Sequence, residues 1–533
     1  MAASEPTIEQ GATQRGSVAR AAGIIWLGNV LSRVMGLARD VTIAHFFGAT
    51  GLVSALTLAR QIPQMVYDLL IGGHVGAALV PVLSEYTTEE KRGELWRITG
   101  VFGSLAAVAL AAAVLLVELL APWIIAVMGG EYSPALQQAA TALLRITTPA
   151  LFFLGLSGAL TGVLYALKRF TFPAFATAIF NVGIVAAVLL LHRRLDVASA
   201  ALGVLLGAAA QLALLLPGLR GARLRPRIDL SDPVLRRILK LYLPVILGIV
   251  VNIGRDVIDR RLASGTGESS IAWMADATTL IQTGLGLIAA AISIAVLPAL
   301  ARADAEHDEA TYRSTLGLGL RLILTLVLPA TAGLFVLARP AVALLYEHGA
   351  FTTHDTTMVT AALYLYLIGL PFAAVDQLLI FAFYARKNTL VPNLVGVYVV
   401  GIYLLFALPF VGRWGMFALV VANAAQWTWH ALLMLLLLRR QIGWPGGQRI
   451  GATLVRAALA SAAMGGAAWG AEKLLARLVG TSGTLARLVS FGGAVAVGVG
   501  VYLGLAVVLR LEEVWALWAA VRRRMSKPRG HAE

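Results

Sequence analysis

Apolar runs long enough to cross a bilayer recur along the whole chain, and they constrain its fold more than any other feature. They fall near 22–46, 53–83, 98–127, 141–166, 173–191, 197–217, 241–262, 271–299, 316–337, 358–383, 391–410, 414–438, 452–474 and 486–509. A helix needs about 20 predominantly apolar residues to span the hydrocarbon core. There every backbone polar group must be satisfied internally, which long apolar helices achieve by themselves. With 59% hydrophobic and 13% charged residues over 533 positions, the chain reads as an all-α polytopic membrane protein of about 14 transmembrane helices. The absence of cysteine excludes disulfides, thiol chemistry and cysteine metal sites. A net charge of +15 would point to nucleic acid in a soluble chain. Here lysine and arginine gather in the connections between spans, so no nucleic-acid partner is expected.

The connections alternate in charge. Arg220, Arg223, Arg225, Arg227, Arg236, Arg237 and Lys240 crowd the link between the sixth and seventh runs. Lys168-Arg169, Arg386-Lys387, Arg439-Arg440 and the tail Arg522-Arg523-Arg524 fall on the same side. The opposite side carries mainly Glu131, Glu268, Arg339, Glu347, Asp355 and Arg413, with His192-Arg193-Arg194 as the exception. The positive-inside rule then predicts cytoplasmic termini. Residues 1–20 lack the layout of a cleavable signal peptide, so the first helix is expected to stay.

Self-comparison predicts a duplication. Leu164-Tyr165-Ala166-Leu167-Lys168-Arg169 resembles Phe383-Tyr384-Ala385-Arg386-Lys387-Asn388 at an offset of 219. Arg39-Asp40-Val41 resembles Arg255-Asp256-Val257 at 216, and Leu79-Val80-Pro81-Val82-Leu83 resembles Val296-Leu297-Pro298-Ala299-Leu300 at 217. Three matches in order at nearly constant offset argue for two parallel repeats of six helices each. The expected organisation is a cytoplasmic segment 1–20, an N-lobe 21–217, a basic linker 218–240, a C-lobe 241–438, two further helices in 452–509 and a basic amphipathic tail 510–533. In the tail, Trp515 and Trp518 precede the three arginines, as in an interfacial helix meeting anionic membrane lipids. Transporters built from such repeats place their substrate between the halves near the midplane.

The functional signal lies in charges that a membrane helix should not tolerate. The first run contains Ser32, Arg33, Gly36, Arg39 and Asp40. Each charge at a helix centre costs about 2.5–3.5 kcal/mol on insertion scales. At 100° per residue Arg33 and Asp40 share a face while Arg39 points elsewhere, which suits a cationic wall with an internal counter-charge. The second run adds Arg60, Pro63, Asp68, Gly72, Gly73 and His74, and the seventh adds Arg255, Asp256, Asp259, Arg260 and Arg261. Arg255 and Asp259, four apart, can pair along one face, and Arg60 and Asp68 can neutralise each other. Arg260 and Arg261 suit a snorkelling role at a helix end. His74 and His430 suit packed, hydrogen-bonded positions. Asp276 and Asp376 lie in apolar surroundings. Intramembrane charges mark pathways, partners or relays. Ser32, Arg33, Arg39, Asp40, Arg60 and Arg255 are therefore candidate substrate contacts. Asp68, His74, Asp259, Asp276 and Asp376 are candidates for proton or Na⁺ coupling, and Gly36, Pro63, Gly72 and Gly73 for hinges. Surplus arginine favours an anion, phosphate above all. No P-loop, HExxH, nucleophile elbow or metal-ligand cluster is present, so neither enzyme activity nor a cofactor is expected.

Ser32-Arg33-Val34-Met35-Gly36-Leu37-Ala38-Arg39-Asp40, with Phe47-Gly48-Ala49, resembles the first-helix signature of the MurJ (MviN) lipid II flippase family of the multidrug/oligosaccharidyl-lipid/polysaccharide exporter superfamily. Ile62-Pro63, Asp259-Arg260, Gly349-Ala350-Phe351-Thr352 and Phe383-Tyr384-Ala385 match in the family's order. The resemblance implies fourteen helices, two lobes about a central cavity, and a groove at the last two helices for a polyprenyl tail. It implies a flippase moving undecaprenyl-diphosphate-linked glycopeptide (lipid II) to the outer leaflet of the bacterial cytoplasmic membrane by alternating access, alongside other cell-wall synthesis proteins. Ser32, Arg33, Arg39 and Asp40 match its functional first-helix positions. The second run departs from the family at Ser54-Ala55-Leu56, Gln64, Tyr67-Asp68 and Gly72-Gly73-His74, and Thr279 stands where the family has arginine. Arg60 and Arg255 are extra cations that partly restore the charge. Another polyprenyl-phosphate glycan, a cation-coupled export cargo, or a non-transporting scaffold role in envelope synthesis remain open alternatives.

Overall fold

The computed structural model describes residues 7–70, 79–80, 82–222, 225, 227–229, 231–443, 448–480 and 483–515. Gly72, Gly73, His74 and most of the basic tail lie outside the described residues. Among those described there is no strand. The helices are α1 (Thr7–Phe47), α2 (Gly51–Leu70), α3 (Arg92–Met128), α4 (Pro134–Thr147), α5 (Ala150–Ala166), α6 (Thr171–Leu195), α7 (Ala198–Leu215) and α8 (Pro233–Ser264). They continue as α9 (Ser270–Ala305), α10 (Glu309–Val336), α11 (Ala338–Leu345), α12 (Thr353–Ala385), α13 (Leu390–Ala407), α14 (Met416–Ile442), α15 (Ile450–Val479) and α16 (Thr484–Val508). Ten described helices are long and apolar enough to cross a membrane, or up to eleven when a bent pair counts as one span. The charge-bearing α1, α2 and α8 are not among those ten. Helix α1 already begins at Thr7, inside the stretch 1–20 expected as a cytoplasmic segment.

The run at 141–166, expected as one span, is two helices bent by about 40°. Pro149 follows Thr147 and Thr148 at the break and has no N–H to continue the ladder. The threonine hydroxyls donate back to the Leu144 carbonyl, and Thr147 also donates to the Ala59 carbonyl of α2 at 3.0 Å. The break is thereby tied to a neighbouring helix. Pro63, in contrast, does not interrupt α2, which is continuous over Gly51–Leu70.

The chain divides into two compact units, Met1–Ala272 and Trp273–Glu533. In the first, α8 packs against α2 and α3, while α6 packs against α1 and α7. Small residues set these distances, since helices in lipid associate by close packing rather than by expelling water. A Cβ on Gly183 of α6 would lie 2.5 Å from the Gly207 Cα of α7. One on Gly28 of α1 would lie 2.1 Å from the Ala174 carbonyl oxygen of α6. In the second unit, α12 packs on α14, and α10 on α15.

Two of the stretches matched by self-comparison share their local geometry. Helices α5 and α12 end in the same motif: Lys168 and Lys387 both adopt φ of 57°. Lys168 N donates to Tyr165 O at 3.0 Å and Arg169 N to Leu164 O at 2.8 Å. Lys387 N donates to Tyr384 O at 2.9 Å and Asn388 N to Phe383 O at 3.0 Å. This paired bonding around one left-handed residue satisfies carbonyls that a helix end would leave open.

Candidate functional site

Within the first unit, a polar cluster is assembled by α1, α2 and α6. Asp40 is 8% exposed. Arg39, its immediate neighbour, donates Nε and Nη2 to the two carboxylate oxygens at 2.8 and 3.1 Å. Its remaining arm, Nη1, donates to Asn181 Oδ1 of α6 at 2.9 Å. Arg60 of α2 brings Nη1 within 3.8 Å of Asp40 Oδ1. The helical wheel pairs Asp40 with Arg33 and turns Arg39 away. The long, flexible arginine stem overrides that wheel, and its planar fork fits one carboxylate side-on. Asp40 is thus the internal counter-charge expected, with Arg39 and Arg60 as the arginines around it.

Asn181 also donates Nδ2 to the Ser32 carbonyl at 3.4 Å, so one amide joins α6 to α1 at both Arg39 and Ser32. Sequence reading missed Asn181, and the available signal was one amide in the apolar run 173–191. Ser32 lies on the wall of a cavity of mixed polar and apolar lining inside the same unit. Arg33 is half-buried one residue on. Gly36 faces Asn181, whose Nδ2 a Cβ would meet at an ordinary 3.6 Å.

Helix α8 repeats the adjacent-pair arrangement at the duplicated position: Arg255 Nε donates to Asp256 Oδ1 at 3.1 Å, and Nη2 reaches the same oxygen. Arg260 donates Nε to Gln61 Oε1 of α2 at 2.6 Å. Arg261 reaches Glu131 at 2.7 Å and the Ala126 carbonyl at 3.0 Å, the end-of-helix role expected of it. On α2, Asp68 accepts from Gln64 Nε2 at 3.1 Å. Asp259 lies on the same α8 turn as Arg260.

In the second unit, Asp276 is half-buried on α9 and Asp376 lies on α12. Asp376 Oδ1 and His430 Nδ1 of α14 are 2.7 Å apart. A separate apolar groove of about 540 Å³ is lined by Leu326, Pro329 and Leu334 of α10, Met464 of α15, and Phe491 and Val495 of α16. Tyr502 beside it donates its hydroxyl to the Thr325 carbonyl, leaving an almost wholly apolar wall. Among the described residues no group of three or more His, Cys, Asp or Glu side chains could hold a metal ion.

The arrangement can bind and shield an anion; among the described residues no nucleophile–base pair with an orienting third group is assembled. A family model described as lipid II flippase MurJ matches residues 43–490. The Burkholderia cenocepacia protein named lipid II flippase MurJ is 30% identical over 450 residues, covering 82% of this chain and 87% of its own. A Vibrio cholerae protein named probable lipid II flippase MurJ is 29% identical over 510 residues, covering 91% and 95%. Among solved structures, a lipid II flippase MurJ in an inward closed conformation aligns with a TM-score of 0.75 at 23% identity, over 91% of this chain and 98% of that one. An inward-facing multidrug resistance MATE transporter of the MOP superfamily aligns with a TM-score of 0.67 at 13% identity, over 77% and 94%.

Proposed function

The chain belongs to the MurJ family, and on that premise we propose that it carries undecaprenyl-diphosphate-linked glycopeptide, lipid II, from the inner to the outer leaflet of the bacterial cytoplasmic membrane. The supporting observation is the charge balance of α1, α2 and α8. Arg33, Arg39 and Arg60 stand against Asp40 and Asp68, and Arg255, Arg260 and Arg261 against Asp256 and Asp259. In the second set Glu131 matches Arg261 and the charges balance, while the first set carries an excess of one positive charge. A diphosphate crossing hydrocarbon must exchange its hydration for such a surface, and guanidinium forks suit phosphate oxygens. Ser32, Arg33, Arg39, Asp40, Arg60 and Arg255 are the residues assigned to this work.

The apolar groove along α10, α15 and α16 supports a second part of the same reading. Its wall suits a polyprenyl chain, which needs no hydrogen bonds. Both termini lie in the cytoplasm on this reading, supported by the arginine and lysine density of residues 218–240. Two driving forces fit this reading of alternating access: proton or Na⁺ binding at Asp68, His74, Asp259, Asp276 or Asp376, or the membrane potential acting on the cationic cluster.

Complementation tests the reading. In a strain depleted of its lipid II flippase, the wild-type chain restores growth and Arg39→Ala does not. Failure of the wild type, despite correct membrane insertion, sinks lipid II as cargo. That outcome favours another polyprenyl-phosphate glycan, consistent with the departures at Gln64, Asp68 and Thr279.

A further inference from the structure

A second compartment in the first unit has a chemistry that the cationic cluster lacks. A cavity of about 450 Å³ opens among α1, α2, α5, α6 and α7. Its polar wall is Asn29, Thr161, Thr177 and Gln211, with Tyr67 and Tyr165 as aromatic surfaces and no charged side chain among the described residues. Asn29, Thr161, Tyr165, Thr177 and Gln211 make no side-chain hydrogen bond among the described residues. Among the described residues the threonines fall into two groups, since Thr99, Thr325 and Thr360 also have hydroxyls without a partner. Thr42, Thr57, Thr141 and Thr283 each donate to the carbonyl four residues earlier, as membrane-helix threonines do to satisfy their hydroxyls. Thr161 and Thr177 make no such bond among the described residues, and both stand on the cavity wall. Five such unengaged groups from four helices, with Asn29 and Thr177 exposed and Thr161, Tyr165 and Gln211 half-buried, form a surface that offers hydrogen bonds to a polar occupant.

We propose that this cavity binds a neutral, polyhydroxylated group, namely a sugar ring. Amides and hydroxyls both donate and accept, matching sugar hydroxyls that do the same. With no cation among the described wall residues, that wall suits a neutral occupant better than a phosphate. The tyrosine faces suit the C–H face of a pyranose, and the volume falls in the usual range for small-ligand sites. The cavity adjoins the cationic cluster through Ser32. That residue lines the cavity while its carbonyl accepts from Asn181, which in turn accepts from Arg39. Anion-binding and sugar-binding chemistry are therefore neighbours, as they are in a glycosyl diphosphate. Identification of the ring as part of the cargo's glycan rests on the flippase reading; the chemical class of the occupant does not.

The test uses the purified full chain in nanodiscs with N,N′-diacetylchitobiose, a neutral disaccharide, observed by saturation-transfer NMR. Wild type transfers magnetisation to the disaccharide. Gln211→Leu weakens binding by about tenfold or more, since it removes a donor and an acceptor together. Thr177→Phe abolishes it by filling the cavity from an accessible position, and serves as the decisive variant if Gln211→Leu does not fold. Absence of transfer in the wild type, or equal transfer in folded Thr177→Phe, overturns the assignment. Complementation of the flippase-depleted strain is scored in parallel. Sugar binding without rescue by the wild type removes the cargo and leaves the site, whereas rescue without sugar binding removes the site and leaves the cargo.

Discussion

Asp376 and His430, 54 positions apart on α12 and α14, meet at 2.7 Å with side chains 15% and 13% exposed. The sequence assigned Asp376 to possible ion coupling and His430 to a hydrogen-bonded position, and the contact joins the two. Removing one member of a buried hydrogen-bonded pair costs about 1–3 kcal/mol, because the other is left unsatisfied. His430→Ala is therefore expected to lower the thermal midpoint in detergent, while His430→Gln, which retains a hydrogen-bonding group, recovers part of it. If the pair also couples transport, Asp376→Asn removes the response of reconstituted flipping to an imposed pH gradient. A purely structural pair leaves that response intact.

Arg39 uses all three guanidinium nitrogens, two on Asp40 and one on Asn181. A lysine is a point charge that cannot reproduce the fork. Arg39→Lys is expected to retain protein level but lose most rescue in the complementation assay. Asn181→Ala removes one charge-assisted bond worth about 1.5–3 kcal/mol and is expected to slow flipping roughly 10- to 100-fold in reconstituted vesicles. Flipping at the wild-type rate in Asn181→Ala would show that Arg39 needs no support from α6.

Two glycines on α1 give opposite expectations. Gly28→Ala drives a methyl to 2.1 Å from the Ala174 backbone oxygen, so α1 and α6 must separate. Overpacking of this kind costs about 1–3 kcal/mol or more, read as a lower thermal midpoint. Gly36→Ala meets only the Asn181 amide at 3.6 Å and is expected to fold normally. A normal thermal midpoint with impaired flipping in Gly36→Ala would support the hinge role; normal flipping would remove it.

Asp308 caps α10 by accepting from the Thr311 backbone N–H at 2.9 Å, and its other oxygen accepts from the Thr311 hydroxyl. These bonds hold its carboxyl below the usual aspartate range. A depressed folded-state value contributes stability above about pH 4, the unfolded range of an aspartate. That contribution is lost as pH falls through the lower folded value. Asp308→Ala should melt below wild type at pH 7, and the gap should close in strong acid. A gap constant with pH would assign the loss to something other than the ionised cap.

Buried ion pairing also secures the end of the described chain. Arg321 of α10 lies 2.7 Å from Glu513, which is 5% exposed. Breaking such a pair from one side costs about 3–5 kcal/mol, so Glu513→Ala is expected to destabilise the detergent-solubilised protein markedly. The double variant Arg321→Met/Glu513→Leu should recover much of the loss, and the thermal midpoints of the three variants decide it.

The membrane class and the anomaly of α1 were legible because hydropathy and charge report directly on bilayer cost. Pairing was less legible. Arg39 chelates its own neighbour, an outcome set by side-chain length rather than helical phase. Asn181 and Gln61 carry no charge, so nothing in an apolar run marks them as partners of Arg39 and Arg260. The break at Pro149 was visible as a proline, but its depth depends on Thr147 reaching Ala59, 88 positions away. The cavity of Asn29 and Gln211 escaped entirely, because isolated amides on separate helices converge only in three dimensions.

The nearest-neighbour pairs Arg39–Asp40 and Arg255–Asp256 carry an electrical consequence. Opposite charges on successive residues of one helix travel together, so a displacement of α1 or α8 moves each pair as a dipole of zero net charge. Moving one elementary charge through 100 mV is worth about 2.3 kcal/mol, but a neutral pair performs almost none of that work. Any voltage dependence of a transport cycle must then come from charge outside these pairs: the cargo's own phosphates, a coupled ion, or arginines such as Arg33 and Arg60. Helices α1 and α8 can carry guanidinium forks through the membrane field while remaining nearly blind to it at those two positions.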